Sequence, residues 1–240
     1  MRPTLYHEIM ESSSQLEKDL FFRSLAKATL IVLTIFLAFI LNDVFQLRWN
    51  NYGVEPRNIT QWWSIFTMPF LHGDYQHLFS NLVPMFVLSF GVFYFFKHKS
   101  LLILVMMYLI TGTLTWSIGR EGNHIGASGI VYALVFFMVT ISLLKQEKTL
   151  MSFSLVVIFL YGSVVWGFFP QLFPDKNISW EGHLAGAITG IALAWFYRKE
   201  GPVNKVYFED EEEEDETTDD GQQTTADGQQ TTDDGQQTTD

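Results

Sequence analysis

Hydrophobic positions along the chain gather into six long runs: Leu25 to Leu41, His77 to Phe96, Leu101 to Ile118, Ser128 to Leu144, Leu150 to Phe169 and Gly182 to Tyr197. Each is close to the ~17–25 residues a helix needs to cross the hydrocarbon of a bilayer. Only helices and closed barrels satisfy every backbone group in lipid, and these runs are too long and too continuously apolar for tilted barrel strands. The pattern therefore predicts an all-α membrane protein with six spans. The first run follows about two dozen largely polar residues with no small-residue cleavage site after it, so it reads as a retained span and not as a signal peptide.

Composition agrees with that pattern. The 240 residues are 48% hydrophobic and 16% aromatic, and it is the clustering of the apolar residues, more than their number, that marks a membrane chain. There is no cysteine, so disulfides contribute nothing and the redox compartment stays open.

Charge sets the expected orientation. Arg2, Lys18, Arg23 and Lys27, then Lys97 and Lys99, Lys145 and Lys148, and Arg198, Lys199 and Lys205 fall on one side of the six-span plan, leaving Arg48, Arg57, Arg120 and Lys176 on the other. An excess of lysine and arginine marks the cytoplasmic side, so both termini are expected in the cytoplasm.

The formal net charge of −11 is concentrated at one end of the chain. Glu209 to Asp240 holds 14 acidic residues and no basic one, leaving the remainder at about +3. Within that stretch, Asp219 to Thr225, Ala226 to Thr232 and Asp233 to Thr239 repeat one seven-residue unit whose only apolar side chain is that of Ala226. Such a repeat cannot bury a core. The chain is accordingly read as a cytoplasmic segment at 1–24, a six-span domain at 25–199 and an acidic, disordered cytoplasmic tail at 200–240.

Three spans enter from the expected outer side with a polar residue at the head: His77 on the second, Ser128 on the fourth and His183 on the sixth. Helices running in the same direction place such residues at similar depth. His77 and Asn81 are four apart, as are Ser128 and Tyr132, while His183, Gly186 and Gly190 follow a three-then-four rhythm, so each set shares a helical face. Polar groups in a span are costly and turn toward the bundle interior or a wet cavity, which gathers these side chains into one pocket.

Serine is a weak nucleophile until a neighbouring base takes its proton, and neutral histidine is the usual base. Acyl transfer also needs donors aimed at the developing oxyanion, chemistry that His77 and Asn81 can supply. No carboxylate lies within the spans at this depth, so a serine–histidine dyad is the economical arrangement. Gly186 and Gly190 form a G-x-x-x-G face that lets another helix approach closely, and Gly126 and Gly129 are expected to keep side chains away from Ser128, leaving room for a substrate carbonyl. A metal site from His72, His77 and His183 lacks a carboxylate at ligand spacing, and none is expected.

The stretches from His72 to Asn81 (HGDYQHLFSN), from Gly126 through Ser128 and Tyr132 (GASGIVYAL) and from Glu181 to Gly190 (EGHLAGAITG) resemble the three signature motifs of rhomboid intramembrane serine proteases, in order and on matching spans. The resemblance runs from about Trp62 to Tyr197. It implies a six-transmembrane-helix bundle and an endopeptidase without cofactor or metal. In it Ser128 is the nucleophile, His183 the general base and Tyr132 its stacking support, with His77, Asn81 and the Ser128 backbone N–H forming the oxyanion hole. The implied partners are single-span transmembrane protein substrates and the lipid bilayer, with no nucleic acid and the oligomeric state unknown, and the active site is expected near the outer face, roofed by Gly119 to Ile125 and Pro170 to Glu181.

The segment Ile59 to Gly73 corresponds to the family's outer loop, although the tryptophan–arginine pair common there reads Trp63-Ser64. An inactive rhomboid-like client binder is the alternative, opposed by the intact serine and histidine. A transporter or channel is disfavoured because no repeat relates the spans and the polar residues sit at their ends rather than at the midplane. Of the remaining histidines, His124 is expected at an exposed rim, His72 in a structural hydrogen bond or in none, and His7 and His98 in solvated cytoplasmic segments.

Overall fold

The structure is a computed structural model describing residues 3–169 and 179–203. Six α-helices account for most of them: α1 (Pro3–Val44), α2 (Tyr75–Phe96), α3 (Ser100–Ile118), α4 (Ser128–Lys145), α5 (Lys148–Tyr161) and α6 (Trp180–Phe196). Among the described residues there is no β-strand, only one antiparallel bridge between Val54 and His124. The fold is an all-α membrane bundle. Leu33, Leu37 and Leu41 on α1, Leu101 and Leu102 on α3, Phe159 on α5 and Phe196 on α6 are exposed apolar side chains, which is what a surface facing hydrocarbon requires.

α4 is the central helix: 61% of its apolar window is buried within the protein, against 22% for α1. The packing of α6 against it is set by glycines. A Cβ on Gly186 would stand 2.0 Å from the Gly129 carbonyl oxygen, and one on Gly190 2.2 Å from that of Ala133. Backbone therefore meets backbone, as a small-residue face permits. The contacts climb together, Gly182 on Gly129, Gly186 on Tyr132 and Gly190 on Phe137, so α4 and α6 run parallel with their first turns at the same end. The Ser154 hydroxyl ties α5 to the same centre by donating to the Met138 carbonyl at 2.9 Å.

Two elements differ from the hydropathy reading. The boundary drawn after residue 24 is not an element boundary, because α1 continues unbroken from Pro3. Polarity changes there, but no glycine or internal proline interrupts the helix, and proline is well tolerated in its first turn. At 42 residues, α1 spans about 63 Å, roughly twice the hydrocarbon thickness of ~30 Å.

The fifth run does not remain α-helical to Phe169. It changes after Tyr161 to a 3-10 helix, Gly162–Phe168, at a glycine pair, Gly162 and Gly167, that apolar composition does not register. At the far end of the domain, Gly201 has φ +83° and sits against the Phe96 ring, while the Lys145 ammonium donates to the Arg198 carbonyl. The helical body thus holds the chain a little past residue 199. Residues 204–240, including the acidic repeat, lie outside the described residues.

The segment between α1 and α2 contains three short 3-10 helices, Trp49–Tyr52, Ile59–Phe66 and Met68–Phe70, and is anchored to α3. The Arg57 side chain donates to the Gly119 carbonyl at 2.7 Å, the Trp116 indole to the Asn58 carbonyl at 3.3 Å, and the Tyr108 hydroxyl to the Phe66 carbonyl. Ser64, where an arginine was expected, is fully buried, its hydroxyl without a hydrogen-bond partner among the described residues. Its position faces the interior, and the loop is held by these neighbours instead.

Candidate active site

α4 begins at Ser128 itself, preceded by Gly126 with φ +108° and by Ala127. A residue with a side chain is strained at that φ, and a Cβ there would lie 2.7 Å from His77 Nε2 and 3.8 Å from Asn81 Nδ2. The tight turn thus has two consequences. It exposes the Ser128 side chain at the head of the helix, and it lets His77 and Asn81 from α2 close on the backbone just before it. At the start of α4 the Ile130 and Val131 N–H groups donate to the Ala127 carbonyl, while those of Ser128 and Gly129 precede any carbonyl of their own helix and carry the positive end of its dipole.

His183 sits in the first turn of α6, buried, with Nε2 3.0 Å from Ser128 Oγ and Nδ1 3.0 Å from the Gly167 carbonyl oxygen. A carbonyl only accepts, so Nδ1 carries the proton. In the neutral ring Nε2 is then a lone pair aimed at the serine hydroxyl, because the bond made by one ring nitrogen decides the state of the other. Tyr132, one turn along α4, stacks flat on this imidazole with ring centroids 4.0 Å apart and planes 4° apart. Phe168 packs edge-on against Tyr132 and closes the other side.

Each residue anticipated from the sequence can now be placed. His183 contacts both Ser128 and Tyr132, and His77 and Asn81 reach the turn before the serine. The Asn81 amide donates one hydrogen to the His77 carbonyl at 3.1 Å and keeps a second, since a primary amide has two. Gly186 and Gly190 form the α4 seam. Gly126 and Gly129 do not leave open space as expected. Room at Gly126 is taken by the His77 ring, and a Cβ on Gly129 would meet the Gly182 carbonyl and Thr111 at 3.0 Å. Their smallness brings protein groups together and makes no void for a substrate.

Gly167 is the site residue that sequence reasoning missed. A Cβ there would stand 1.9 Å from the Tyr132 hydroxyl oxygen and 2.9 Å from His183 Nδ1. The only signal in the sequence was a glycine late in an apolar run. His124 is not at an exposed rim: it is buried, exchanges backbone hydrogen bonds with Val54 at 2.8 and 2.9 Å, and uses both ring nitrogens. His72 is also buried, with its ring 5.0 Å from that of His77. No group of three or more metal-ligating side chains occurs among the described residues. Of the two expected roofing loops, residues 170–178 lie outside the described residues.

Comparison with known proteins points the same way. Residues 59–200 match the family model for the rhomboid domain. The chain is 29% identical to an uncharacterised protein of Mycobacterium tuberculosis over 170 residues, 68% of this chain and 71% of that one. It is also 29% identical to an uncharacterised protein of Mycobacterium leprae over 167 residues, 67% and 66% of the two chains. A rhomboid-like protein 11, chloroplastic, of Arabidopsis thaliana is 26% identical over 189 residues, covering 71% of this chain and 64% of that protein. With a domain match over more than half of its length and an apolar helical bundle, the chain belongs to the rhomboid family of integral membrane proteins.

Proposed function

We propose that the protein is an intramembrane serine endopeptidase that cleaves transmembrane segments of single-span membrane proteins through a Ser128–His183 dyad. The observation that carries this reading is the pair of 3.0 Å contacts at His183, which leave the base in the tautomer that accepts the Ser128 proton. A full triad would hold Nδ1 with a carboxylate. Here a main-chain carbonyl holds it, orienting the ring while stabilising the imidazolium less, and the flat Tyr132 stack restricts rotation.

In the reaction, Nε2 of His183 takes the hydroxyl proton as Ser128 Oγ attacks the scissile carbonyl carbon, and the carbonyl π electrons move onto oxygen. The Ser128 N–H, the His77 imidazole and the free Asn81 amide hydrogen receive that oxyanion, aided by the N-terminal dipole of α4. The intermediate collapses by breaking the C–N bond, with the imidazolium returning its proton to the leaving amine. Water then attacks the acyl-serine, His183 removing the water's proton and passing it to Oγ.

The orientation that fits this chemistry has both termini in the cytoplasm and the site toward the outer face, where water reaches it. A substrate helix must unwind there to expose a peptide bond. The division into an N-terminal segment, a catalytic domain and an acidic tail belongs to this proposal too, with the catalytic unit ending slightly beyond residue 199. The test is incubation of the purified protein, Ser128→Ala and His183→Ala with a panel of reconstituted single-span substrates. Cleavage by wild type alone supports the dyad, whereas cleavage that survives in either variant contradicts it.

A further inference from the structure

Two residues before His183, in the first turn of α6, stands Glu181. Its side chain is only 4% exposed, and a carboxylate is seldom buried unless it is paired. The partner is Arg120, from the loop joining α3 to α4, whose Nη1 lies 3.0 Å from Oε1 and 3.1 Å from Oε2. A second tie lies beside the first. Ser179, the residue before α6, has its hydroxyl within hydrogen-bond distance of His124 Nδ1, while His124 Nε2 is 2.9 Å from the Arg120 carbonyl oxygen. That carbonyl only accepts, so Nε2 donates and Nδ1 of the neutral ring accepts from the Ser179 hydroxyl.

The loop that makes both ties is the one that delivers the nucleophile. It leaves α3 at Gly119, where a Cβ would stand 3.2 Å from His124 Nε2, and ends in the Gly126 turn that presents Ser128. His124 is pinned by its backbone bridge to Val54, so the loop is fixed to the body of the protein before it reaches α6. One short segment therefore carries the serine and grips the head of the helix that carries the histidine. Among the described residues, the His183 ring nitrogens meet the Gly167 carbonyl and the Ser128 hydroxyl and no carboxylate.

We propose that Arg120 and His124 on one side, and Glu181 and Ser179 on the other, form a two-point clasp that sets the separation of Ser128 and His183. Glu181 and Arg120 are positioning residues: they act on the base through placement of the helix and touch neither the nucleophile nor a substrate. This proposal rests on the protease reading above. The two truncations have unequal consequences. Removing the Arg120 charge takes its ion-pair partner from a buried carboxylate, whereas neutralising Glu181 leaves the positive charge on a half-exposed side chain. Glu181→Gln is thus the gentler probe of position.

The experiment uses the full chain in phospholipid vesicles, as wild type, Glu181→Gln, Arg120→Gln, the double variant and Ser179→Ala. Three quantities are measured: kcat and KM on a reconstituted single-span substrate, amide hydrogen exchange across residues 180–186, and thermal stability. A misplacement of about 1 Å costs on the order of a hundredfold in rate. The clasp therefore predicts a ten- to hundredfold fall in kcat for Glu181→Gln, KM within about twofold, and exchange at the head of α6 at least tenfold faster while the middle of α4 stays protected. The double variant should be no worse than Arg120→Gln alone, because the two side chains act as one contact.

Wild-type kcat in Glu181→Gln and Ser179→Ala, or activity lost only in step with thermal stability, overturns the clasp. Should the wild type cleave nothing, the protease reading falls. The exchange measurement still decides whether the two ties hold the head of α6, and unchanged exchange in both of these variants overturns the clasp by itself.

Discussion

Replacing Gly186 with alanine is the sharpest perturbation of the α4–α6 seam. The added Cβ would lie 2.0 Å from the Gly129 carbonyl oxygen, with the Gly129 carbonyl carbon and Tyr132 Cβ both at 3.0 Å. Two of these three obstacles are backbone atoms, which cannot swing aside as a side chain can. To bring the worst contact out to even a tight 3.0 Å, α6 must retreat from α4 by about 1 Å. His183 sits one turn earlier on the same face, so its 3.0 Å contact with Ser128 Oγ stretches toward ~4 Å, past hydrogen-bond range.

Two free energies compete in the outcome. Overpacking costs about 1–3 kcal/mol, offset by roughly 1 kcal/mol because alanine is the better helix former. The variant is therefore expected to fold. A misplacement near 1 Å lowers the rate on the order of 10²-fold, equivalent to about 2.7 kcal/mol of transition-state stabilisation. Activity should fall further than stability. The assay is the rate of Ser128 labelling by a fluorophosphonate, with thermal stability measured in parallel. Gly162→Ala serves as control, since beyond its chain neighbours and its own helix backbone no heavy atom of the described residues lies within 4 Å of its Cβ and its backbone is helical, φ −60° and ψ −24°. A folded Gly186→Ala labelled at the wild-type rate refutes the claim that backbone contact at this seam sets the dyad distance.

Gly167→Ala drives a methyl into the Tyr132 hydroxyl and the His183 ring edge, so labelling should drop at least tenfold while Gly162→Ala in the same 3-10 segment stays near wild type; equal rates would remove Gly167 from the site. His77→Ala and Asn81→Ala should each lower kcat on a single-span substrate by about 10²–10³-fold, the usual cost of losing one oxyanion donor, and an unchanged kcat in both would place the oxyanion elsewhere.

Away from the site, Glu147 caps α5 by accepting from the Thr149 and Leu150 N–H groups at 3.1 and 2.7 Å. Partial burial pushes its carboxyl up, but these hydrogen bonds prevail and hold it below its ordinary value. Its stabilising contribution is thus present above the ordinary carboxylate range and fades as pH falls through the lowered value. Glu147→Ala should cost about 1 kcal/mol at neutral pH and lose that difference from wild type in acid, and a pH-independent difference would argue against the cap.

Much of this architecture was legible because hydropathy and helix ends coincide for α2, α3 and α4, where polar or glycine-containing turns bound each apolar run. The site was legible for a related reason: Ser128, His183, His77, Asn81 and Tyr132 are polar groups whose cost in a span forces them inward, and helical spacing gives their faces. What stayed hidden acts through the backbone or at long range. Gly167 contributes a carbonyl oxygen, which every residue possesses, and its identity matters only because a Cβ would collide. His124 is buried through a bridge to Val54, seventy residues earlier, and no local pattern announces such a pairing. The start of α1 escaped because main-chain hydrogen bonds continue through polar residues as readily as through apolar ones.

The central claim is that the Ser128 hydroxyl is activated by His183, and its most direct measurement is the position and rate of covalent capture. Wild type, Ser128→Ala and His183→Ala, each confirmed folded, are treated with a fluorophosphonate, digested and mapped by mass spectrometry. The account predicts a single adduct on the peptide containing Ser128, absent from Ser128→Ala and formed at least a thousandfold more slowly in His183→Ala. An adduct on another residue, or one formed equally fast without His183, would contradict it.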